Sequence, residues 1–432
     1  MERIVMKFGG TSMSTSQSWQ QVKDIVENST NVCAIVVSAP GKSAEYSQKI
    51  TDLLKSISVK RAAQENWNEV FKNFTQRFHD IATQLSLNTV RLAKDFENIE
   101  SRINEGCSEP EILSRGEFLT AKLFAEYCGI EFVDAYDVVV ISSEGKPVFD
   151  KKDVPKITQS MVVPGYYGRG VDGSLAVFSR GGSDVTGAYL AVKRGATYER
   201  WSDTPVCFTD PSVVNDARIV DELTYAELGN ITTVVPDILH PSAARVCINN
   251  GVTVYVKNTQ NPSGTATRIT RQRDYTQHPI AGVHVQNDYT SFTLQQIGID
   301  ESVGHVYTLS SIFKDFNIPI RTVSGGGDSI VFFIHQDYIL SGDLEKIKKI
   351  TENHHSFNNP TVTVREGISF VSVVGDGMID QYGYFARIYN ALAQAHVSVV
   401  STGSPPSEGV IEIFVSEKDS KQVVEMLYNE FV

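Results

Sequence analysis

The sequence has few cysteines, no long apolar run and no excess of positive charge. Its five cysteines form no CxxC pair and show no metal-ligand spacing, so we expect them to be reduced and buried. No apolar run reaches the roughly 18 residues of a membrane-spanning helix. A strand pattern begins within three residues of the N-terminus, where a secretory signal would stand. The formal net charge of −12 disfavours nucleic acid and anionic membranes as main partners. Reduced cysteines fit a cytoplasmic protein, which is the expected location.

At 432 residues the chain is too long for one compact core, so we expect two or more domains. The apolar runs Val32–Val37 and Val138–Ile141 are typical of strands buried on both faces of a parallel sheet. Apolar residues three and four positions apart predict two amphipathic helices, one from Trp67 to Leu85 and one from Leu92 to Ile103. The polar stretch from Asn258 to Thr276 predicts a domain boundary.

An internal repeat follows this boundary. The order helix, strand, turn, strand occurs near residues 302–333 and again near 377–415, an offset of roughly 80 residues. A strand precedes each copy and a helix follows it, which predicts two βαββαβ units, the ferredoxin-like pattern. In the second copy the turn between the strands is expected at Pro405-Pro406.

Two glycine-rich turns, each beside a cation, suggest a site for two anions. The first is Lys7–Ser12, directly after the N-terminal strand pattern, and the second is Ser179–Asp184, which opens a helix. Bare backbone N–H groups can approach phosphate oxygens only where side chains are absent. Lys7 and Arg180 would then supply the positive charge.

These two segments, KFGGTS at Lys7–Ser12 and RGGSD at Arg180–Asp184, resemble the two signature motifs of the aspartate kinases, which belong to the amino-acid kinase superfamily. The resemblance covers essentially the whole chain. It implies a mixed α/β fold: a three-layer α/β/α kinase domain at residues 1–275, then two ferredoxin-like ACT domains at 285–355 and 362–432. Because no further nucleotide-binding domain follows, we expect a monofunctional enzyme without a fused homoserine dehydrogenase.

The resemblance also implies a reaction, the phosphorylation of the β-carboxylate of L-aspartate by ATP. The product, 4-phospho-L-aspartate, is the entry to lysine, diaminopimelate, threonine and methionine biosynthesis. Since this carboxylate is already ionised at pH 7, the protein needs mainly to position two anions and offset their repulsion. Mg²⁺ carried by the nucleotide phosphates is expected to add neutralisation, and no metal-binding side chains are expected.

Lys7 and Asp184 are the expected catalytic residues. By the resemblance, Lys7 contacts the transferred phosphoryl group, and the family's matching aspartate organises that lysine. From the residues alone, Lys7 could be a solvated side chain beside a turn, and Ser183 or Asp184 could cap the helix from Val185 to Lys193. The resemblance also implies that Ser183 binds substrate.

Three further residues are expected on the aspartate side. Arg180 resembles the family's partner of the substrate α-carboxylate, a task that suits a bidentate guanidinium. Glu117 matches the family's carboxylate that holds the α-amino group, although Ser114 followed by Glu117 is also a capping box at a helix start. Tyr166 lies where the family places an aromatic side chain against the substrate, and the alternative is a tyrosine packed in the core.

The nucleotide side combines the first motif with a second stretch. Trp201–Pro211 resembles the family's W-T-D…T-D-P segment, although it is about one residue shorter. The residues expected to bind nucleotide are Lys7, Gly9, Gly10, Ser12, Ser202, Asp203 and Phe208.

The chain departs from the family pattern at several positions. Ala44 stands where a hydroxyl usually meets the substrate, and Ser43, one residue earlier, is expected to replace it. Ser212 and Asp237 stand where an arginine and a lysine are common, and losing cations near phosphate could weaken ATP binding by about 1 kcal/mol or more each. His240 is expected to be structural, ahead of a helix that begins with proline.

The paired ACT repeats imply an amino-acid effector and a homodimer. Lysine is the first expectation for the effector, on pathway grounds. Arg321, where the family often has an acid, would repel a lysine ammonium if it faced the ligand, so threonine or no effector stays open. A plain dimerisation module is the alternative.

Two other functions stay open. One is another kinase of the superfamily, acting on glutamate, acetylglutamate or UMP, although Glu117 with Arg180 suits a free α-amino acid. The other is a regulatory chain that senses an amino acid and has a weakened kinase domain. Ala44, Ser212 and Asp237 motivate that last interpretation.

Overall fold

The computed structural model describes residues 2–149, 160–179, 181–235, 238–301, 303–379, 381–403 and 409–432. Three sequence-based expectations lie outside these residues: the substrate role of Arg180, the departure at Asp237, and the turn at Pro405-Pro406. The chain divides into two compact units. The first unit comprises Met1–Val206, Asp221–Tyr225 and Pro236–Arg273, and the second comprises Cys207–Val220, Ala226–Val235 and Asp274–Val432.

Strands and helices alternate through the first part of the chain. The strands are β1 (Ile4–Phe8), β2 (Val32–Val37), β3 (Glu131–Phe132), β4 (Val140–Ile141), β5 (Met161–Pro164), β6 (Tyr167–Gly170), β7 (Leu175–Val177), β8 (Thr197–Ser202), β9 (Glu222–Thr224), β10 (Val254–Asn258), β11 (Thr267–Thr270), β12 (Gly282–Gln295), β13 (Thr322–Gly326), β14 (Ser329–His335), β15 (Thr361–Val374), β16 (Val399–Gly403) and β17 (Val410–Ser416). The α-helices are α1 (Ser16–Glu27), α2 (Ile50–Ala62), α3 (Asn68–Gln84), α4 (Thr89–Asn104), α5 (Glu109–Cys128), α6 (Ala135–Val138), α7 (Gly182–Arg194), α8 (Tyr225–Thr232), α9 (Pro241–Asn250), α10 (His305–Asp315), α11 (Asp343–Glu352), α12 (Tyr384–Gln394) and α13 (Ser420–Phe431).

An eight-stranded sheet, in the order β3-β5-β2-β1-β8-β10-β11-β9, forms the centre of the first unit. Neighbouring strands from β3 to β10 are parallel, and β11 runs antiparallel to β10. Side chains alternate along a strand. Met6 and Phe8 of β1 therefore join the core formed with α1 to α5, whereas Lys7 points to the other face and contacts Asp184 of α7. Helices on both faces confirm the expected three-layer arrangement.

The main helices and the second strand of this unit agree with the sequence pattern. The apolar run Val32–Val37 is β2, which lies between β1 and β5. The two predicted amphipathic helices are α3 and α4. Their apolar stripes, which include Phe74, Phe78 and Ile99, are buried in the shared core. Periodicity alone was therefore sufficient for these elements.

One local prediction is right only in part, and another is wrong. In the run Val138–Ile141 only Val140–Ile141 is a strand, β4, which pairs in parallel with β6. Asp134 accepts an N–H at 3.0 Å from Tyr136 and starts the helical turn α6, which includes Val138. The short β4 that follows belongs to a separate three-stranded sheet in the order β4-β6-β7. Ser114 and Glu117 form no capping box, because α5 begins at Glu109 with Ser108 as its N-cap. Both residues lie inside the helix, on its buried side.

In the second unit, one antiparallel sheet carries both copies of the predicted repeat. Its order is β13-β14-β12-β15-β17-β16, and β12 and β15 are each 14 residues long. The second half of β12 pairs with β14 and with the first half of β15, whereas its first half pairs with the second half of β15. The first half of β12 and the second half of β15 therefore belong to the second copy. In the sequence, the first copy is inserted between these two strand halves. The domain limits expected from the sequence stay a prediction.

The cysteines were expected to be reduced and buried, and no helix was expected to span a membrane. All five cysteines are free, and Cys107, Cys207 and Cys247 are buried, whereas Cys33 and Cys128 are only half-buried. The expectation that all five would be buried is thus wrong for two of them. Among the described residues, no helix has the length and apolar character needed to cross a membrane.

Candidate active site

The carboxyl ends of four adjacent parallel strands, β5, β2, β1 and β8, lie along one edge of the sheet. Open α/β sheets bind ligands at such an edge. Here the loops after β1 and β2 touch, because Gly41 donates its N–H to the carbonyl of Gly10 at 2.7 Å. A Cβ on Gly41 would lie 2.7 Å from the carbonyl carbon of Gly10, so the contact requires a residue without a side chain. The two loops thus meet beside Lys7.

Lys7 and Asp184 form a buried ion pair at this edge. Nζ of Lys7 lies 2.6 Å from Oδ1 of Asp184, and Nε of Arg200 lies 3.6 Å from the same oxygen. Lys7 and Arg200 are register partners on β1 and β8, so their side chains leave the sheet on the same face. The other oxygen of Asp184 accepts the N–H of His240 at 3.4 Å, and the hydroxyl of Tyr198 donates to Oδ1 at 3.5 Å.

The charges of this cluster stabilise one another. Burial alone would raise the pKa of Asp184, but the Lys7 ammonium and the Arg200 guanidinium bring it down to about 2. Burial lowers the pKa of Lys7, and Asp184 partly opposes that effect. Asp184 therefore stays ionised and favours the charged form of Lys7. This is what a buried phosphate-binding lysine needs.

The first turn of α7 delivers Asp184 to the cluster. Gly181 is the N-cap of α7, in the left-handed conformation with φ of 59°, and it provides no side-chain cap. A Cβ there would lie 2.1 Å from Cγ of His240. His240 is itself the N-cap of α9, where its Nδ1 accepts the N–H of Ser242 at 3.3 Å, which confirms its expected structural role. The carboxylate of Asp184 is engaged by Lys7.

Glu117 and Tyr166, both expected from the sequence to bind substrate, lie close enough for the charge of Glu117 to act on the Tyr166 hydroxyl. Glu117 is 3% exposed and accepts a backbone hydrogen bond from Ala39, and among the described residues its Oε2 has no hydrogen-bond partner. Burial raises the pKa of Glu117 to about 8. Burial, and then the charge of Glu117, raise the pKa of Tyr166 to about 12. Tyr166 is half-buried with φ of 78°, a strained conformation for a residue with a side chain.

Ser43, Ser183 and Ala44 are the other described positions that the sequence analysis connects with the substrate. Ser43 is half-buried, and its Oγ already accepts the N–H of Tyr46 at 3.2 Å. Ser183 lies in the buried first turn of α7, next to Asp184. Ala44 is exposed on the surface. The hydroxyl of Ser43 thus accepts one hydrogen bond within its own loop and keeps its O–H to donate.

The residues that the sequence predicts to bind nucleotide are all described, and each belongs to one of the two units. Ser12 is buried, and its Oγ has no partner among them. Ser202 ends β8 and is followed by the exposed Asp203. Phe208 belongs to the second unit, where it is buried with its ring 5.7 Å from that of Tyr428. No group of three or more His, Cys, Asp or Glu side chains suited to a metal occurs in the described part of the chain.

Sequence reasoning missed two arginines. Arg200 joins the Lys7–Asp184 ion pair. In the sequence, the only indication of this was a charged residue among the buried residues of a strand. Arg77 is 1% exposed and donates to backbone carbonyls of the loops after β1 and β2. Its signal was an arginine three residues after Phe74 on the apolar stripe of α3. Both need the tertiary structure to be interpreted.

Comparisons with known proteins agree with this geometry. The family model described as the amino acid kinase family matches residues 2–258, and an ACT domain model matches residues 371–431. "Aspartokinase 3" of Bacillus subtilis (strain 168) is 28% identical over 99% of this chain and 98% of its own length. The crystal structure of Clostridium acetobutylicum aspartate kinase matches with a TM-score of 0.89 and 28% identity, over 100% of both chains. Escherichia coli aspartokinase III in complex with lysine and aspartate has a TM-score of 0.82 at 21% identity over 100% of both chains, which supports the fold alone.

The chain belongs to the amino acid kinase family. Its curated and solved-structure relatives are aspartokinases. They confirm the expected enzyme class, an aspartokinase-type phosphotransferase with an ACT domain after the kinase domain.

Proposed function

We propose that this chain transfers the γ-phosphoryl group of Mg-ATP to the β-carboxylate of L-aspartate, giving 4-phospho-L-aspartate and ADP. This would be the first step of lysine, diaminopimelate, threonine and methionine biosynthesis. The observation that carries the proposal is the buried Glu117, whose Oε2 has no partner in the described structure, on the same sheet edge as the buried cation Lys7. A buried carboxylate with a free oxygen suits a ligand ammonium, and a buried lysine beside a glycine turn suits phosphate.

The reaction needs no general base in this proposal. The ionised β-carboxylate forms the new O–P bond as the bond between phosphorus and the ADP oxygen breaks. Lys7 offsets the charge on the moving phosphoryl group, and Asp184 holds Lys7 in place. Glu117 accepts the α-ammonium of aspartate. When bound with the nucleotide, Mg²⁺ supplies further charge neutralisation, and we expect the phosphates to carry most of its ligands.

The remaining contacts are assigned by the family resemblance. Arg180 pairs with the α-carboxylate, and Ser43, Tyr166 and Ser183 complete the aspartate side. On the nucleotide side we assign Gly9, Gly10, Ser12, Ser202 and Asp203, whereas Phe208, buried in the second unit, stays a prediction from the sequence alone. Each assignment is open to substitution, because an aspartate-side residue should change KM for aspartate and a nucleotide-side residue should change KM for ATP.

We further infer a cytoplasmic homodimer that pairs through its ACT units and responds to an amino acid, with lysine as the first candidate. The two ferredoxin-like units on one sheet support a regulatory role, and the Escherichia coli protein was solved with lysine. Arg321 lies 3.0 Å from Glu412, and both belong to the second unit. Its charge is therefore offset locally, which weakens the expected repulsion of a lysine ammonium.

A second candidate function is an amino-acid-sensing chain with a weakened kinase domain. One feature favours it: Ala44, exposed in the loop after β2, offers no hydroxyl at the place where the resemblance expects one. Against it, Ser43 accepts the N–H of Tyr46 with its Oγ, which leaves its own O–H to donate to a carboxylate.

Turnover with trapping of the product tests these alternatives. ADP release and hydroxamate formation would be followed with Mg-ATP and L-aspartate, L-glutamate, N-acetyl-L-glutamate or UMP. We expect hydroxamate only with aspartate, and its loss in Lys7→Met. Repeating the assay with lysine and with threonine would identify the effector. A folded protein that binds lysine but forms no hydroxamate would favour the regulatory chain.

A further inference from the structure

Arg77 connects the two loops that meet at the candidate active site. It lies on α3 with its guanidinium buried. Nη2 donates to the carbonyl of Ser14, in the loop after β1, at 3.2 Å and also to the carbonyl of Gly41. Nη1 donates to the carbonyl of Gln48 at 2.9 Å, at the far end of the loop after β2. The Arg77 side chain thus holds both ends of the loop after β2, at Gly41 and Gln48, and one residue of the loop after β1, Ser14.

Tyr46 gives the same helix a second hold on the loop after β2. Its ring lies over the Arg77 guanidinium, 4.8 Å from Cζ, and its hydroxyl donates to Asp80, one turn further along α3. Tyr46 also accepts the N–H of Ser43 at 2.9 Å and donates its own N–H to Oγ of Ser43. The place of Ser43 therefore depends on Tyr46, and through it on α3.

The buried charge of Arg77 is met by three carbonyl dipoles and an aromatic face, and its Nε has no hydrogen-bond partner among the described residues. The three carbonyls are reached from two separate nitrogens of a planar group, whereas a lysine has its three donors on one atom and no flat face to stack on Tyr46, so lysine is a poor substitute here. Burying a guanidinium is costly unless its donors are satisfied. In a structural role alone, an apolar side chain on the stripe of α3 would serve as well.

We propose that Arg77 is a positioning residue for phosphoryl transfer. It fixes residues 41–48, the aspartate side, against the glycine turn that follows Lys7, the phosphate side. The contact between Gly10 and Gly41 then stays closed when both substrates are bound. This inference rests on the proposed function for its assignment of the two sides, but the loop contacts themselves do not depend on it.

The test compares Arg77→Met, Arg77→Lys and Tyr46→Phe with the unchanged full-length chain. Arg61→Met is the matched control, because Arg61 also donates to a backbone carbonyl of the first unit, that of Cys107 at 2.5 Å, away from the sheet edge. Amide hydrogen exchange is measured over residues 41–50, and KM for aspartate, KM for ATP and kcat are measured separately.

We expect Arg77→Met to speed exchange over residues 41–50 about tenfold, with the rest of the unit unchanged. KM for aspartate should rise about tenfold, KM for ATP should stay within about twofold, and Arg77→Lys should recover only part of the loss. If Arg77→Met does not fold, Tyr46→Phe replaces it in the test, and its KM for aspartate should also rise. Unchanged exchange with unchanged KM, or faster exchange throughout the unit, would overturn the proposal.

Failure of the proposed function would be seen separately. If the unchanged chain forms no acyl phosphate from aspartate, the proposed function fails, and hydrogen exchange alone decides the role of Arg77. Faster exchange confined to residues 41–50 would still support a role of Arg77 in holding this loop. Equal exchange in Arg77→Met and Arg61→Met would reject it.

Discussion

Nζ of Lys7 lies 2.6 Å from Oδ1 of Asp184, with both side chains buried at the carboxyl edge of the sheet. Burial by itself favours a neutral lysine, and the ionised Asp184 opposes that tendency. The ionised Asp184 thus favours the charged form of the lysine and fixes its orientation, at the place where the proposed function puts the phosphoryl group. Preorganised charge of this kind is the main contribution a protein makes to phosphoryl transfer.

Removing the charge of Asp184 should therefore weaken catalysis through Lys7. In Asp184→Asn the pKa of Lys7 falls further, so the alkaline limb of the kcat profile should move to lower pH. We expect kcat to drop about 100-fold at neutral pH. Steady-state rates from pH 6 to pH 10 check both points.

Asp95→Asn is the control for that variant, because Asp95 pairs with Lys122 at 2.5 Å on the helices α4 and α5. Its kcat profile should match that of the unchanged chain. An Asp184→Asn enzyme with full kcat and the same alkaline limb would remove Asp184 from the mechanism.

Aspartate binding should release a proton through Glu117. Burial raises the pKa of Glu117 to about 8 in the free protein, so it is mostly protonated at pH 7. A bound ammonium favours the carboxylate, so about one proton should be released, and affinity should rise as the pH approaches 8. Calorimetry in two buffers of different ionisation enthalpy measures the released proton. In Glu117→Gln the release should vanish and KM for aspartate should rise about tenfold to 100-fold, and a normal KM there would contradict the assignment.

The same glutamate should make stability depend on pH. Its folded pKa of about 8 lies above the ordinary value of 4.5, so its contribution is fully present below pH 4.5 and is lost as the pH rises toward 8. Glu117→Gln avoids that loss. We expect its Tm to exceed that of the unchanged chain by a growing margin between pH 5 and pH 8. Thermal unfolding at four pH values across this window checks the slope, and a constant difference would be evidence against a buried, protonated Glu117.

Alanine at Gly181 should damage the site more than the fold. Gly181 and Gly195 cap the two ends of α7 with nearly the same left-handed φ, 59° and 56°. A Cβ on Gly181 meets the His240 ring, whereas a Cβ on Gly195 meets nothing within 4 Å. In both variants the free energy of unfolding should fall by about 1 kcal/mol, because alanine is strained in this left-handed conformation. Only Gly181→Ala should also lose activity, because the clash displaces the turn that carries Asp184; equal activity in both would refute this.

How far the sequence predicts this protein depends on how local each feature is. The strand Val32–Val37 followed from a continuous apolar run, and the helices α3 and α4 followed from apolar residues three and four positions apart, because each pattern lies within one short segment. Val138–Ile141 was predicted only in part, since a short apolar run does not distinguish a strand from the end of a helical turn that begins at Asp134. The sharing of β12 and β15 between the two repeats depends on pairing across the whole sheet, which no local pattern specifies.

The candidate site also contains residues that a local pattern identifies and residues that depend on the tertiary structure. Lys7 and Asp184 were predicted through their motifs, because each lies in a glycine turn with a distinctive spacing. Ser114 and Glu117 were also predicted as a capping box, and this failed because the helix begins earlier, at Ser108. Arg77 could not be predicted, because an arginine in an amphipathic helix is ordinarily a surface residue. Its burial follows from the two loops that close over it.

The most direct test of the account is the position of the new phosphoryl group. The protein would be incubated with Mg-ATP and L-aspartate, the acyl phosphate would be reduced with borohydride, and the amino alcohol would be identified by mass spectrometry. Phosphorylation of the β-carboxylate predicts homoserine, at a level that depends on Lys7. Recovery of 3-amino-4-hydroxybutyrate, the product from the α-carboxylate, or of no amino alcohol, would contradict the proposed function.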